Sequence, residues 1–132
     1  MTAEATPLIR YEMSNDVTVG TIDPSASLDA VGAKTFGDAV SAYVQQHSGV
    51  KLLLDFQHIT YMSSSALSEL LRIQDAAKAQ KGSVRLCGLS SELHKVFEVT
   101  NLADVFKVNP DEDAEVTIMR LNRDSQWDVY PA

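Results

Sequence analysis

Along this chain apolar residues alternate, then cluster, then recur at helical spacing, and the changes of period mark the elements. Leu8–Met13 and Val17–Ile22 are short runs rich in Val, Ile, Tyr and Thr around Ser14-Asn15-Asp16, which predicts a β-hairpin. Asp23-Pro24-Ser25-Ala26-Ser27 breaks the second strand. Leu28 to Gln46 reads as a helix with Val31, Phe36, Val40, Tyr43 and Val44 on one broad stripe; Gly32 and Gly37 each cost it about 1 kcal/mol relative to Ala. His47-Ser48-Gly49 ends it, and Val50 to Leu54 is a near-continuous apolar run, as expected of a central strand covered on both faces.

A second helix is expected from about Ser65 to Gln80, with Leu67, Leu70, Leu71, Gln74 and Ala77 at i, i+3, i+4 spacing and Gly82 as its stop. Ser83–Gly88 reads as a strand, and Ser90 as the cap of a helix over Ser91–Thr100 with Leu93, Val96 and Phe97 on one side. Asn101 suits the left-handed position that closes such a helix. Val105–Val108 predicts a last short strand. Pro110-Asp111-Glu112-Asp113 then opens a final helix through Val116, Ile118, Met119 and Leu121, although Val, Thr and Ile there also suit a strand. Asn122–Ala132, with Trp127 and Tyr130, shows no period.

The order ββαβαβαβ, then α, is that of an α/β fold with a mixed, mostly parallel sheet and an N-terminal β-hairpin. One domain is expected over residues 8–121, between a flexible N-terminus, 1–7, and a C-terminal tail, 122–132. Right-handed crossovers would bring the loops after the parallel strands to the carboxyl edge of the sheet, where function concentrates.

Composition narrows the function. A length of 132 residues, 45% of them hydrophobic, supports one globular core. The net charge of −7, with no Lys/Arg cluster to offset it, argues against nucleic acid as a partner. The single Cys87 excludes an internal disulfide framework and, within VRLCGL, reads as a buried small hydrophobe. No basic n-region with an apolar h-region precedes Leu8, and no apolar run reaches the roughly 18 residues of a membrane span, so a cytoplasmic protein without a membrane partner is expected.

The stretch richest in candidate chemistry is Ser63-Ser64-Ser65, between the central strand and its helix. A hydroxyl at a helix N-terminus can cap the helix, contact an anion, or carry a phosphate of roughly −1.5 to −2 charges. The capping box is absent, because no Glu or Gln lies three residues after any of these serines. A nucleophile elbow needs glycines two residues either side of the serine, and Ser64 has Met62 and Ala66 there. His47, His58 and His94 lie on separate elements outside any base motif, no ligand spacing suggests a metal, and no glycine-rich phosphate loop occurs, so neither an enzyme nor a cofactor is expected. Asp29 sits where the first helix begins, a place the helix dipole favours for an acid.

Several of these residues stand in register with a known family. Leu54-Asp55, Tyr61-Met62-Ser63-Ser64-Ser65-Ala66-Leu67, Val84-Arg85-Leu86-Cys87-Gly88-Leu89-Ser90, the series Leu93, Val96, Phe97, Thr100, Asn101, Leu102 and Phe106, and Leu28-Asp29-Ala30 together resemble the STAS domain (sulfate transporter and anti-sigma factor antagonist) over roughly residues 8–120. The likeness is to stand-alone bacterial anti-sigma factor antagonists. It implies a STAS-like fold and a partner that is both an anti-sigma factor and a serine kinase. It also implies Ser64 as the phosphoacceptor whose modification blocks binding, with Asp29, Ser63, Ser65, Ala66 and Leu67 at the partner-binding surface. Such a regulator would be a monomer or weak homodimer. The chain departs from the family pattern at Ser63, where the family carries an aspartate, and at Ala66, where it carries a glycine. The alternatives are a constitutive scaffold that is not phosphorylated and a module that binds a small molecule or lipid.

Overall fold

The computed structural model describes residues 8–24 and 28–127. Its elements are β1 (Ile9–Ser14), β2 (Val17–Ile22), α1 (Ala30–Gln45), β3 (Lys51–Asp55), α2 (Ser64–Ala79), β4 (Ser83–Cys87), α3 (Ser91–Val99) and α4 (Ala114–Arg123). The sheet runs β1-β2-β3-β4. β1 and β2 are antiparallel across the Asn15-Asp16 turn, where Asn15 takes φ 58°. β2, β3 and β4 are parallel, with Val19 opposite Leu53 and Leu53 opposite Arg85. The hairpin, the three alternating helices and the mixed, mostly parallel sheet agree with the α/β order expected from the pattern as far as α3.

The sheet is covered on both faces, as the run Leu52-Leu53-Leu54 requires. Ile22, Leu52, Leu54, Val84 and Leu86 face α1 to α3 and pack on Phe36, Val40, Leu70, Ile73, Leu93 and Phe97. Val17, Leu53 and Cys87 point the other way and meet Leu121 and Trp127. Period two along each strand thus feeds two cores of unequal size.

Four expectations are corrected. Val105–Val108 is not a strand. The Phe106 and Val108 amides donate to Leu102 and Ala103 carbonyls, and Lys107 adopts φ 52°, so the segment forms turns and touches β4 by a single backbone bond, Leu86 N–H to Phe106 O at 3.4 Å. Phe106 is nonetheless buried, edge-on to Phe97 with ring centroids 6.3 Å apart. Val31 is 80% exposed and does not belong to the stripe of α1. Leu71 and Val96, both placed on buried stripes, are also not buried, at 39% and 38% exposed. Residue 121 does not end the packed structure: α4 continues to Arg123, and Trp127 is buried, its Nε1–H donating to Asn122 Oδ1 at 2.8 Å. The buried Arg85 guanidinium holds that segment through the carbonyls of Gln126 (2.8 Å) and Trp127 (3.5 Å). The expectations for residues 1–7 and for Tyr130 lie outside the described residues.

A polar clamp fixes α4. Glu112 accepts from Arg120 (2.9 Å) and Thr117 (3.2 Å), while Arg120 also donates to the Lys107 carbonyl at 2.8 Å. Burial pushes the Glu112 carboxyl up, but the Arg120 and Thr117 bonds outweigh it and hold the group below its ordinary 4.5. A depressed folded value contributes stability that is fully present above 4.5 and is lost as pH falls from there through the lower folded value. Glu112→Gln should therefore cost about 2 kcal/mol at neutral pH, with the gap from wild type closing in acid, as read by urea denaturation at both pH values. Trp127→Ala should cost about 3 kcal/mol in the same assay; a solvated tail would lose almost nothing.

Candidate functional site

β2, β3 and β4 run parallel, so α1, α2 and α3, each following one of them, all begin at the carboxyl edge of the sheet. Three capping side chains mark those starts. Asp29 Oδ1 accepts from Val31 N–H (3.1 Å) and Gly32 N–H (2.8 Å). Ser63 Oγ accepts from Ala66 N–H, and Ser90 Oγ from Leu93 N–H, both at 3.2 Å. Each satisfies a donor that the first helical turn leaves open.

The serine turn is built from β3 outward. Phe56 continues the strand by donating to the Cys87 carbonyl at 2.9 Å, and buried Phe56 and Ile59 pin the loop to the core. Asp55 is buried at the strand end. Its Oδ1 accepts from Gln57 N–H and its Oδ2 from Gln57 Nε2, both at 3.0 Å. Burial pushes the Asp55 carboxyl up, opposed by the Gln57 bond and the His58 charge. Gly88 makes room for it: at φ 74° a Cβ would lie 2.4 Å from Asp55 Oδ1. Burial, with the Asp55 charge, also pushes the Cys87 thiol up, so Cys87 is an inert, protonated core residue.

The first two helix mouths are tied together by Ser63 N–H, which donates to the Leu28 carbonyl at 3.0 Å. The structure thus brings the Asp29 turn against the serine turn, two sites that are more than thirty residues apart in the chain. The three serines then divide their work. Ser63, extended at φ −81°, ψ 167°, is the cap. Ser64 is the first residue of α2, exposed and outside the cap. Ser65 is half-buried; Ala66 is fully buried, and Leu67 packs partly against the main core. Position 66 is helical and needs no left-handed backbone, so alanine fits where the family carries glycine. Ala66 and Leu67 hold the helix to the core, while Ser64 is what the site presents to solvent.

Two exposed apolar side chains that the sequence pattern did not single out as surface stand on the segments that form the site. Tyr61 is 62% exposed just before the turn, and Val31 stands out from the first turn of α1. The cue for Val31 was its helical phase: at 3.6 residues per turn it lies about 180° from Val40, on the side of Lys34 and Asp38. His47 bonds the Tyr43 carbonyl through Nδ1 at 2.7 Å, and His94 lies against the Val108 carbonyl; neither reaches the serines. Among the described residues no group of His, Cys, Asp or Glu could hold a metal ion, and no helix is long and apolar enough to cross a membrane.

A two-faced α/β sheet with capped helix mouths gathered at one edge defines the class, and residues 10–115 match the model of the STAS domain. The chain belongs to the STAS domain family. It is 27% identical over 84 residues to an anti-sigma-B factor antagonist of Listeria monocytogenes, covering 64% of this chain and 73% of that protein. It is 30% identical over 59 residues to a STAS-domain containing protein of Pseudomonas aeruginosa, covering 45% and 58%. Among solved structures it resembles an anti-sigma-factor antagonist (STAS) domain protein from Planctomyces limnophilus, with a TM-score of 0.71, 23% identity and coverage of 84% and 96%. It also resembles the anti-sigma factor antagonist SpoIIAA in its unphosphorylated form, with a TM-score of 0.68, 20% identity and coverage of 87% and 96%. These structures share the fold.

The division of labour among the serines is measurable. Ser63→Ala should lower stability by about 1 kcal/mol through loss of the cap, whereas Ser64→Ala should stay within about 0.5 kcal/mol of wild type. Denaturant midpoints check both; equal losses would contradict the assignment of the cap.

Proposed function

We propose that the chain is an anti-sigma factor antagonist that binds an anti-sigma factor with serine-kinase activity, and that phosphorylation of Ser64 switches that binding off. The observation that carries the reading is the position of Ser64. It is exposed at the first turn of α2, free of the capping role, beside the exposed Tyr61 and the Asp29 turn. A neutral hydroxyl there can be desolvated against a partner; a phosphate of roughly −1.5 to −2 charges resists that desolvation. The helix dipole would tolerate the new charge within the chain, so modification would act on binding and leave the fold intact. Asp29, Ser63, Ser65, Ala66 and Leu67 frame the docking surface: the two caps set the relative position of the helix mouths, and the buried pair fixes the pitch of α2. The protein would act in the cytoplasm, through binding and without catalysis. The likeness to antagonists, including SpoIIAA also in its phosphorylated form at a TM-score of 0.62 and 20% identity, supports the reading.

A second reading has one observation in its favour. Ser63 places a neutral cap where the family carries an acid next to the acceptor, which suits a constitutive scaffold that no kinase modifies. Incubation with the anti-sigma kinase and Mg-ATP, followed by intact-mass analysis, separates the two. The switch reading expects a single phosphate on wild type and on Ser63→Ala, and none on Ser64→Ala. An unmodified wild type would leave the scaffold, and modification that persists in Ser64→Ala would move the acceptor elsewhere in the turn.

A further inference from the structure

β1 is an edge strand, and its outer side is patterned to receive a second copy of itself. Strand β2 lies on one side of β1, and among the described residues no strand lies on the other. The Leu8 carbonyl accepts from Asp23 N–H at 2.8 Å, so backbone groups of alternate residues from Leu8 onward, Arg10 and Glu12 included, turn toward β2. The N–H and C=O groups of Ile9, Tyr11 and Met13 consequently point outward. An edge of this kind is a template for pairing unless it is blunted.

We infer that two copies associate through antiparallel β1–β1 pairing about a twofold axis at Tyr11, continuing the sheet from one subunit into the other. That register is singled out by three features of β1. With Tyr11 opposite Tyr11 of the second copy, Ile9 falls opposite Met13 and Met13 opposite Ile9, so every outward backbone donor meets an outward acceptor. On the face away from α1, Arg10 falls opposite Glu12 and Glu12 opposite Arg10, a pair of reciprocal ion pairs at positions exposed in the single chain. On the face toward α1, Met13, 65% exposed in the single chain, is carried over the apolar groove formed by Ile9, Tyr11, Ala39, Ala42, Tyr43 and Gln46. Shifting the register by two residues would leave an outward pair unmatched and bring Arg10 opposite Arg10 or Glu12 opposite Glu12. The groove is floored by Tyr11, stacked on Tyr43 at a centroid distance of 3.8 Å, and walled by exposed alanines that let a second α1 approach. The contact is isologous, as twofold closure demands, and it lies on β1, not on the helix mouths that carry Ser64.

Charge reversal tests the pairing and its register together. Sedimentation equilibrium of the full chain should show a concentration-dependent dimer. Arg10→Glu and Glu12→Arg should each weaken it by about tenfold or more, because each replaces both ion pairs with like charges. The double variant Arg10→Glu/Glu12→Arg should restore it, since the swapped charges again face their opposites. Both positions are exposed, and circular dichroism should show all variants folded. A wild type that stays monomeric up to millimolar concentration, single variants that dimerise like wild type, or a double variant that is not rescued would each overturn the inference.

Discussion

Parallel pairing of β2, β3 and β4 is the constraint on which the rest depends. Strands that run the same way need crossovers; those through α1 and α2 lie over one face, α3 follows β4 onto the same face, and all three helices start at one edge. That edge would gather open N–H groups at three helix mouths unless side chains close them. Asp29, Ser63 and Ser90 do so, and the bond from Ser63 N–H to the Leu28 carbonyl then locks the first two mouths together. The opposite face, left bare by this arrangement, is covered by α4 and the Trp127 segment, held by Arg85 and by the Glu112–Arg120 clamp.

Within that frame the serine turn separates structure from signal. One hydroxyl, Ser63, is spent on the cap, and Ala66 and Leu67 on the core. Ser64 is left at the surface, three residues after the exposed Tyr61. A surface of that kind suits reversible protein binding. On the proposed reading it would gain from desolvation against a partner, and a phosphate on Ser64 would change its charge at a solvent-facing position.

Much of the architecture was legible in the sequence because local and tertiary preferences agree there. Ser90 caps α3, Asn101 takes the left-handed position that follows it, Asn15 turns the hairpin, and Leu52-Leu53-Leu54 is buried on both faces. The failures fall where they disagree. Val105–Val108 has strand propensity, but its amides find nearer acceptors in a run of turns. Val31 is apolar, but at 3.6 residues per turn it stands about 180° around α1 from Val40, on the face of the exposed Lys34, Asp38 and Ala42. Trp127 lies beyond any readable period because its burial depends on a long-range partner, Arg85, whose role within β4 no local pattern displays. At the site, the positions of the serines could be read from sequence. The fastening of Ser63 to Leu28 and the exposure of Tyr61 could not, since both follow from how two distant turns meet.

The central claim is that a charge at Ser64 acts on the partner and not on the fold. Isothermal titration of the anti-sigma factor with unmodified and Ser64-phosphorylated protein tests it most directly, with a thermal melt of each form alongside. Phosphorylation should weaken binding about a hundredfold or more, a loss of roughly 2.7 kcal/mol, with little change in melting temperature. Equal affinity for the two forms, or a phosphorylated form that loses binding only because it unfolds, would contradict it.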